Sequence, residues 1–106
     1  MISIPAANWL SCALNQIITL THNLNITLEN LPKFKILYSN VINPNLANNV
    51  IVDMTNQSSG TIGCSINLGS NNTIILRFGS VAVCQGVGSG NSYIQVTSGY
   101  FRVYIY

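Results

Sequence analysis

Acid–base chemistry in this chain would have to come from very few groups. Glu29 and Asp53 are the two carboxylates among 106 residues, and His22 is the one imidazole. A glycoside hydrolase needs two carboxyls facing each other across one cleft. Nothing in the sequence brings Glu29 and Asp53 together. A hydrolytic triad could use His22 with either carboxylate and one of many Ser or Cys residues, but no nucleophile-elbow motif surrounds any of them. His22 lies in "THNLN", a turn-like stretch, and reads as a surface histidine. One His, no CxxC and no acidic cluster leave a metal site without a ligand set. Cys64 in "TIGCSI" and Cys84 in "VAVCQ" fall in strand-like runs, where a free Cys acts as a small buried hydrophobe. A Cys64–Cys84 cross-strand disulfide and a reactive thiol are the alternatives; Cys12 makes the number odd. "GVGSGNS" (86–92) lacks the Lys-Ser/Thr ending of a phosphate loop and joins strand to strand, so it reads as a hairpin loop and a candidate for loop-mediated binding. The expectation is a protein with no enzymatic activity, no cofactor and no metal.

What remains is the chemistry of contact. In "GYFRVYIY", Tyr100, Arg102, Tyr104 and Tyr106 alternate with Phe101, Val103 and Ile105. The second set reads as core. The first reads either as a sheet face with its hydroxyls in water or as an interface, since Tyr and Arg combine apolar area with a polar tip. "NTIILRF" (72–78), carrying Ile74 and Leu76, is apolar on both faces and is expected to be buried on both or to sit at a subunit contact. The N-terminal Ile2, Ile4, Trp9 and Leu10 have no periodic partner of their own. They are expected to pack across a subunit boundary or onto a neighbouring surface.

The elements that must position these residues are strands. Period-2 alternation runs through 17–21, 24–30, 33–39, 49–55, 60–68, 72–78, 80–85, 92–98 and 100–106. Turn residues punctuate them, as in Asn43-Pro44-Asn45, Gly69-Ser70-Asn71-Asn72 and Ser98-Gly99. Short strands at this spacing predict an all-β fold, a sandwich or jelly-roll-like barrel of about eight to nine antiparallel strands. Residues 1–16 are expected to form an N-terminal arm or a short helix over "AANWLSCALNQI", and 17–106 the β-sandwich domain. The N-terminus has no basic segment and no clean apolar run, so it reads as mature sequence. That devalues the sequons at Asn25, Asn56 and Asn71.

Composition narrows the partners. Charged residues make up 6% of the chain, against about 25% in ordinary soluble domains. Lys33, Lys35, Arg77 and Arg102 are too few to neutralise a row of phosphates, so no nucleic-acid partner is expected. No apolar run reaches the ~18 residues of a membrane helix, so no membrane partner is expected either. Fifteen asparagines supply the polarity that charge does not. A base-composition bias and a surface role are both open readings of that excess.

Residues 49–96 resemble a module of tailed-phage virion proteins. The stretch reads as a strand, then Asn56 to Gly60 as "N-x-x-x-G", a strand pair, Gly79 to Val83 ("GSVAV") in the place of the module's "G-S-x-A-x-V", a Gly-rich turn and a closing strand. The usual Asp-Gly-Thr turn is replaced by Gly86 to Asn91. The resemblance implies a compact β-domain without catalytic residues, found as a capsid decoration (cement) protein or a head- or tail-fibre-like subunit. It implies a homotrimer that contacts the major capsid protein or another virion protein and resides on the capsid or tail surface after synthesis in the host cytoplasm. The alternatives are a carbohydrate- or receptor-binding module of a phage adhesin, or a strand-exchanging, pilin-like filament subunit.

Overall fold

A computed structural model describes residues 2–5, 8–47, 49–55, 60–87 and 93–106. They form ten strands and, among the described residues, no helix: β1 (Ile2–Ile4), β2 (Leu10–Ala13), β3 (Ile17–Thr21), β4 (Phe34–Ser39), β5 (Ile51–Asp53), β6 (Cys64–Leu68), β7 (Thr73–Phe78), β8 (Cys84–Val87), β9 (Tyr93–Val96) and β10 (Ser98–Ile105). The all-β, antiparallel, sandwich-like expectation holds.

The large sheet runs β1-β10-β4-β5, and β2 joins β10 on the same edge as β1. A second sheet runs β3-β7-β6, and β8 and β9 form a hairpin. Alternation decides which side chains go inside. On β10, Phe101, Val103 and Ile105 are buried while Tyr100, Arg102 and Tyr104 are half-buried on the opposite face. On β4, Ile36 and Tyr38 point inward beside them. The second sheet contributes Leu20, Ile74, Leu76 and Phe78 to the same core, and the hairpin contributes Cys84. Phe78 and Phe101 meet edge to face across the two sheets, their centroids 5.1 Å apart. Fully burying a side chain of this size is worth about 1.5–3 kcal/mol.

Two local departures from the sequence reading have physical causes. Residues 24–30 are not a strand: Asn23 and Asn25 take left-handed backbone conformations, φ 58° and 51°, which break a ladder. Thr27 and Asn30 then close a turn through the Asn30 side chain. Residues 6–17 carry no helix among those described. Leu10–Ala13 pairs with Phe101–Ser98, and Ile2–Ile4 with Ile105–Val103. The predicted N-terminal arm is therefore two strands of the large sheet, completing β10 along its length.

The Gly79–Val83 stretch marks a crossing. Ile62 and Ala82 form an isolated parallel bridge just before β6 and β8 begin. The Thr61 carbonyl accepts from Val81 N–H at 2.8 Å and Ala82 N–H at 3.1 Å, and Gly79 N–H donates to the Gly63 carbonyl at 2.9 Å. A methyl at Gly79 would land on the Thr61 carbonyl and 2.7 Å from the Ala82 oxygen. Gly79 and Ala82 are small because two backbones pass there. The other half of the proposed signature, Asn56–Ser59, lies outside the described residues, as does most of the 86–92 loop.

Candidate functional site: the outer face of the large sheet

The sequence-predicted contact residues divide into two groups. Ile74 and Leu76 are fully inaccessible in the single chain, each 0% exposed. Their strand, β7, is the centre of its sheet, so both its edges are closed by β3 and β6, and Ile74 and Leu76 need no other subunit for their burial. Ile4 and Leu10 pack against the chain's own core. Ile2 stays partly exposed at the start of β1. Trp9 is 7% exposed, buried by its own chain. Of the nine predicted contact residues, Tyr100, Arg102 and Tyr104 are the ones that face outward from the large sheet.

Register sets what lies beside them. Tyr104 stands opposite Ser3 on one side and Lys35 on the other. Arg102 stands opposite Leu37, which in turn stands opposite Asp53. Tyr100 lies between Ser11 and Ser39. Directly opposed residues share a face, so these side chains form three rows of one surface. Trp9, just before β2, lays its ring beside Arg102. The guanidinium carbon sits 5.4 Å from the ring centroid, a cation–π contact.

One end of this face is closed and the other is open. Trp9 N–H donates to the Ile42 carbonyl at 3.3 Å, which draws the 40–50 segment over the Trp9 end. Ser39, fully buried, uses its hydroxyl to donate to the Val41 carbonyl and to accept from Val41 N–H. At the other end, Lys35 and Asp53 pair at 3.7 Å with about half of each side chain exposed. A hydrogen bond from the Thr55 hydroxyl, reinforced by Thr55 N–H and the Lys35 ammonium, holds the Asp53 carboxyl below its usual range. In the sequence, Lys33, Lys35 and Leu37 alternate with Phe34, Ile36 and Tyr38, so alternation places them together on one face. What it lacked was the register that lays this strand beside β10.

Apart from Asp53, the groups that could do bond chemistry are elsewhere. His22 is buried, not on the surface: the turn through Asn23 folds its ring inward, and its Nδ1 accepts from Leu24 N–H at 3.0 Å. Its position in "THNLN" showed the turn but not the direction of the ring. Glu29 lies in the turn beside the second sheet, while Asp53 lies on the large sheet. No group of three metal-ligating side chains is assembled among the described residues. Cys12, Cys64 and Cys84 are free and buried. Burial pushes each thiol up to about 12, with Cys84 adding to the effect at Cys12 and Cys12 adding to it at Cys64. An open apolar groove of about 330 Å³ lies between Ile26, Leu28, Leu31 and Leu68, with Ser70 and Asn71 at its rim.

The surface that collects the outward-facing aromatic and charged side chains is thus the large sheet's outer face. It can make cation–π, tyrosine hydroxyl and ion-pair contacts. The chain matches no protein-family model, no curated protein and no solved structure.

Proposed function

We propose that this protein is a virion structural subunit, a small capsid decoration or fibre-associated protein that binds its own copies and a neighbouring virion protein and carries out no reaction. The observation that carries the reading is the outer face of the large sheet. Tyr100, Arg102 and Tyr104 alternate strictly with core residues and remain only half-buried in the isolated chain. A face of Tyr and Arg with few charges is the composition of a contact surface. The likeness of residues 49–96 to phage virion modules supplies the virion setting and the homotrimer. The 79–83 part of that likeness is the structural crossing of Gly79 and Ala82, so it speaks for a shared fold and not for a shared ligand.

The test is the native mass of the wild-type protein together with the identity of the proteins that co-purify with it from its natural source. An oligomer, accompanied by capsid or tail proteins, is the expected result. Tyr104→Asp should abolish that association while leaving the circular dichroism spectrum unchanged, because Tyr104 points away from the core. A monomer that binds a soluble glycan and no virion protein would move the assignment to the receptor-binding alternative.

A further inference from the structure

We propose that β3 is a second contact surface, where two copies of this chain join edge to edge about a twofold axis centred on Thr19. The inference deepens the assembly reading above and rests on it for the choice of a second copy as occupant. Its geometry rests on the backbone.

β3 pairs with β7 on one side and, among the described residues, with nothing on the other. The direction of its backbone groups follows from the bonds at its two ends. Phe78 N–H donates to the Gln16 carbonyl at 2.9 Å, and His22 N–H donates to the Asn72 carbonyl at 2.8 Å. Antiparallel ladders alternate, so the even-numbered residues of β3 bond to β7 and the odd-numbered ones point away from it. Ile17, Thr19 and Thr21 therefore present their N–H and C=O groups at the sheet edge. All three residues are also exposed.

This edge has none of the usual protections. Natural proteins blunt edges with charges, proline, bulges or very short strands. β3 is Ile-Ile-Thr-Leu-Thr, uncharged and paired without interruption over its five residues. The edge strand β5 has three residues and carries Asp53 beside Lys35. The free side of β6 presents Cys64, Ile66 and Leu68; Cys64 is 1% exposed and Ile66 half-buried, so Leu68 is the one exposed position along it.

The sequence of β3 also suits itself. With Thr19 opposite its symmetry mate, Ile17 stands opposite Thr21 of the second copy and Ile18 opposite Leu20. Each pair joins residues of one face: Ile17, Thr19 and Thr21 on the exposed side, Ile18 and Leu20 on the side turned to the core. Every outward N–H and C=O of both strands then finds a partner, as three opposed pairs that each exchange two bonds. No charge meets its like. The second sheet continues as β6-β7-β3 into the mate's β3-β7-β6. An interface of this kind is isologous and joins copies in pairs, leaving the outer face of the large sheet for other contacts. A five-residue edge covers less than the ~800 Å² per partner of a standard interface, so a covalent trap is the suitable probe.

Thr19→Cys supplies it. Opposed Cα atoms of a hydrogen-bonded antiparallel pair lie about 5.5 Å apart, within the ~4.4–6.8 Å span of a disulfide. Thr21→Cys is the register control: its mate lies four residues along the strand, roughly 13 Å away, too far to bridge. The native thiols are buried and do not compete. Under mild oxidation the Thr19→Cys chain should run as a disulfide-linked dimer and the Thr21→Cys chain as a monomer. Thr19→Lys, at an exposed position, should keep the fold by circular dichroism and lose the pairing seen by sedimentation at high concentration. Equal crosslinking of the two cysteine variants, no crosslinking of either, or an unchanged mass for Thr19→Lys would each overturn the β3 contact. If the Thr19→Cys chain stays monomeric while the wild type is oligomeric and holds a virion partner, the contact falls and the assembly reading stands. A specific Thr19→Cys dimer with no virion partner co-purifying keeps the contact and removes the virion reading.

Discussion

Gly79→Ala is the most demanding test of how the two strand entries cross. The added methyl would overlap the Thr61 carbonyl and lie 2.7 Å from the Ala82 oxygen, both main-chain atoms that cannot rotate aside. The Thr61 carbonyl is held by two N–H donors, and Gly79 N–H is itself bonded to Gly63. Overpacking a close contact costs about 1–3 kcal/mol. Any backbone shift that relieves it weakens two of these bonds, at a net ~0.5–1.5 kcal/mol each. The sum is roughly 2–6 kcal/mol, a large part of the ~5–15 kcal/mol that holds a domain folded. For a chain of this size the melting temperature should fall by more than about 10 °C. Gly60→Ala is the control. It sits at φ +83° with nothing within 4 Å of a new methyl, so it meets conformational strain but no clash. That strain is worth about 1–2 kcal/mol. Urea denaturation followed by circular dichroism measures both. If Gly79→Ala costs no more than Gly60→Ala, the backbones do not pass as closely as the parallel bridge requires.

The other expectations follow from single contacts. Thiol titration of the folded protein at pH 8 should find no reactive cysteine and, in denaturant, all three; Cys64→Ser should cost roughly 1–3 kcal/mol by burying a hydroxyl. The Asp53 carboxyl is more acidic folded than unfolded, so it stabilises above the unfolded pKa of about 3.9 and that contribution fades as the pH falls through the lower folded value. Asp53→Asn should therefore flatten the stability profile below about pH 4, by a small amount for a half-exposed pair. Deleting residues 1–10 should destabilise the monomer itself, since it removes β1, Trp9 and the bonds they make to β10 and the 40–50 segment; an unchanged urea midpoint would restore the view of a detachable arm. Tyr38→Phe should lose about 1 kcal/mol through the hydrogen bond from its hydroxyl to the Ser98 carbonyl.

Alternation was enough to read β3, β4, β7 and β10, and with β10 the split between Phe101, Val103, Ile105 and Tyr100, Arg102, Tyr104. It failed where two periods compete. Trp9, Leu10, Ala13 and Leu14 have helical spacing, but β10 is eight residues long and β4 covers only its other edge. Its remaining backbone groups need partners, and that demand made 10–13 a strand. Ile74 and Leu76 were legible as buried; what buries them was not, because an apolar strand reads the same at the centre of a sheet as at an interface. His22 was misplaced because left-handed Asn23 reverses the chain beside it, and a reversal has no period. The β3 edge carries no motif. It becomes visible only when pairing shows which backbone groups are left over.

The asparagine excess has a structural account that neither base composition nor a surface role anticipates. The non-glycine residues with left-handed backbone among those described are Asn15, Asn23 and Asn25, and Asn adopts that conformation more readily than other side chains. Others act through their side-chain oxygens: Asn30 accepts from Thr27 N–H, Asn40 from Val50 N–H, Asn45 from Ala47 N–H, Asn49 from Asn45 N–H and Asn72 from Asn25 N–H. Asn72 also takes His22 N–H on its main-chain carbonyl, so one residue ties the 22–26 segment to the β6–β7 turn. Turns built this way need no Asp, Lys or Glu, which is how the chain closes its loops with so few charges. The same economy leaves β3 without a charge to guard its edge. A surface short of charge and a free strand edge are liabilities in a dilute monomer, and the packing among copies proposed above would remove both.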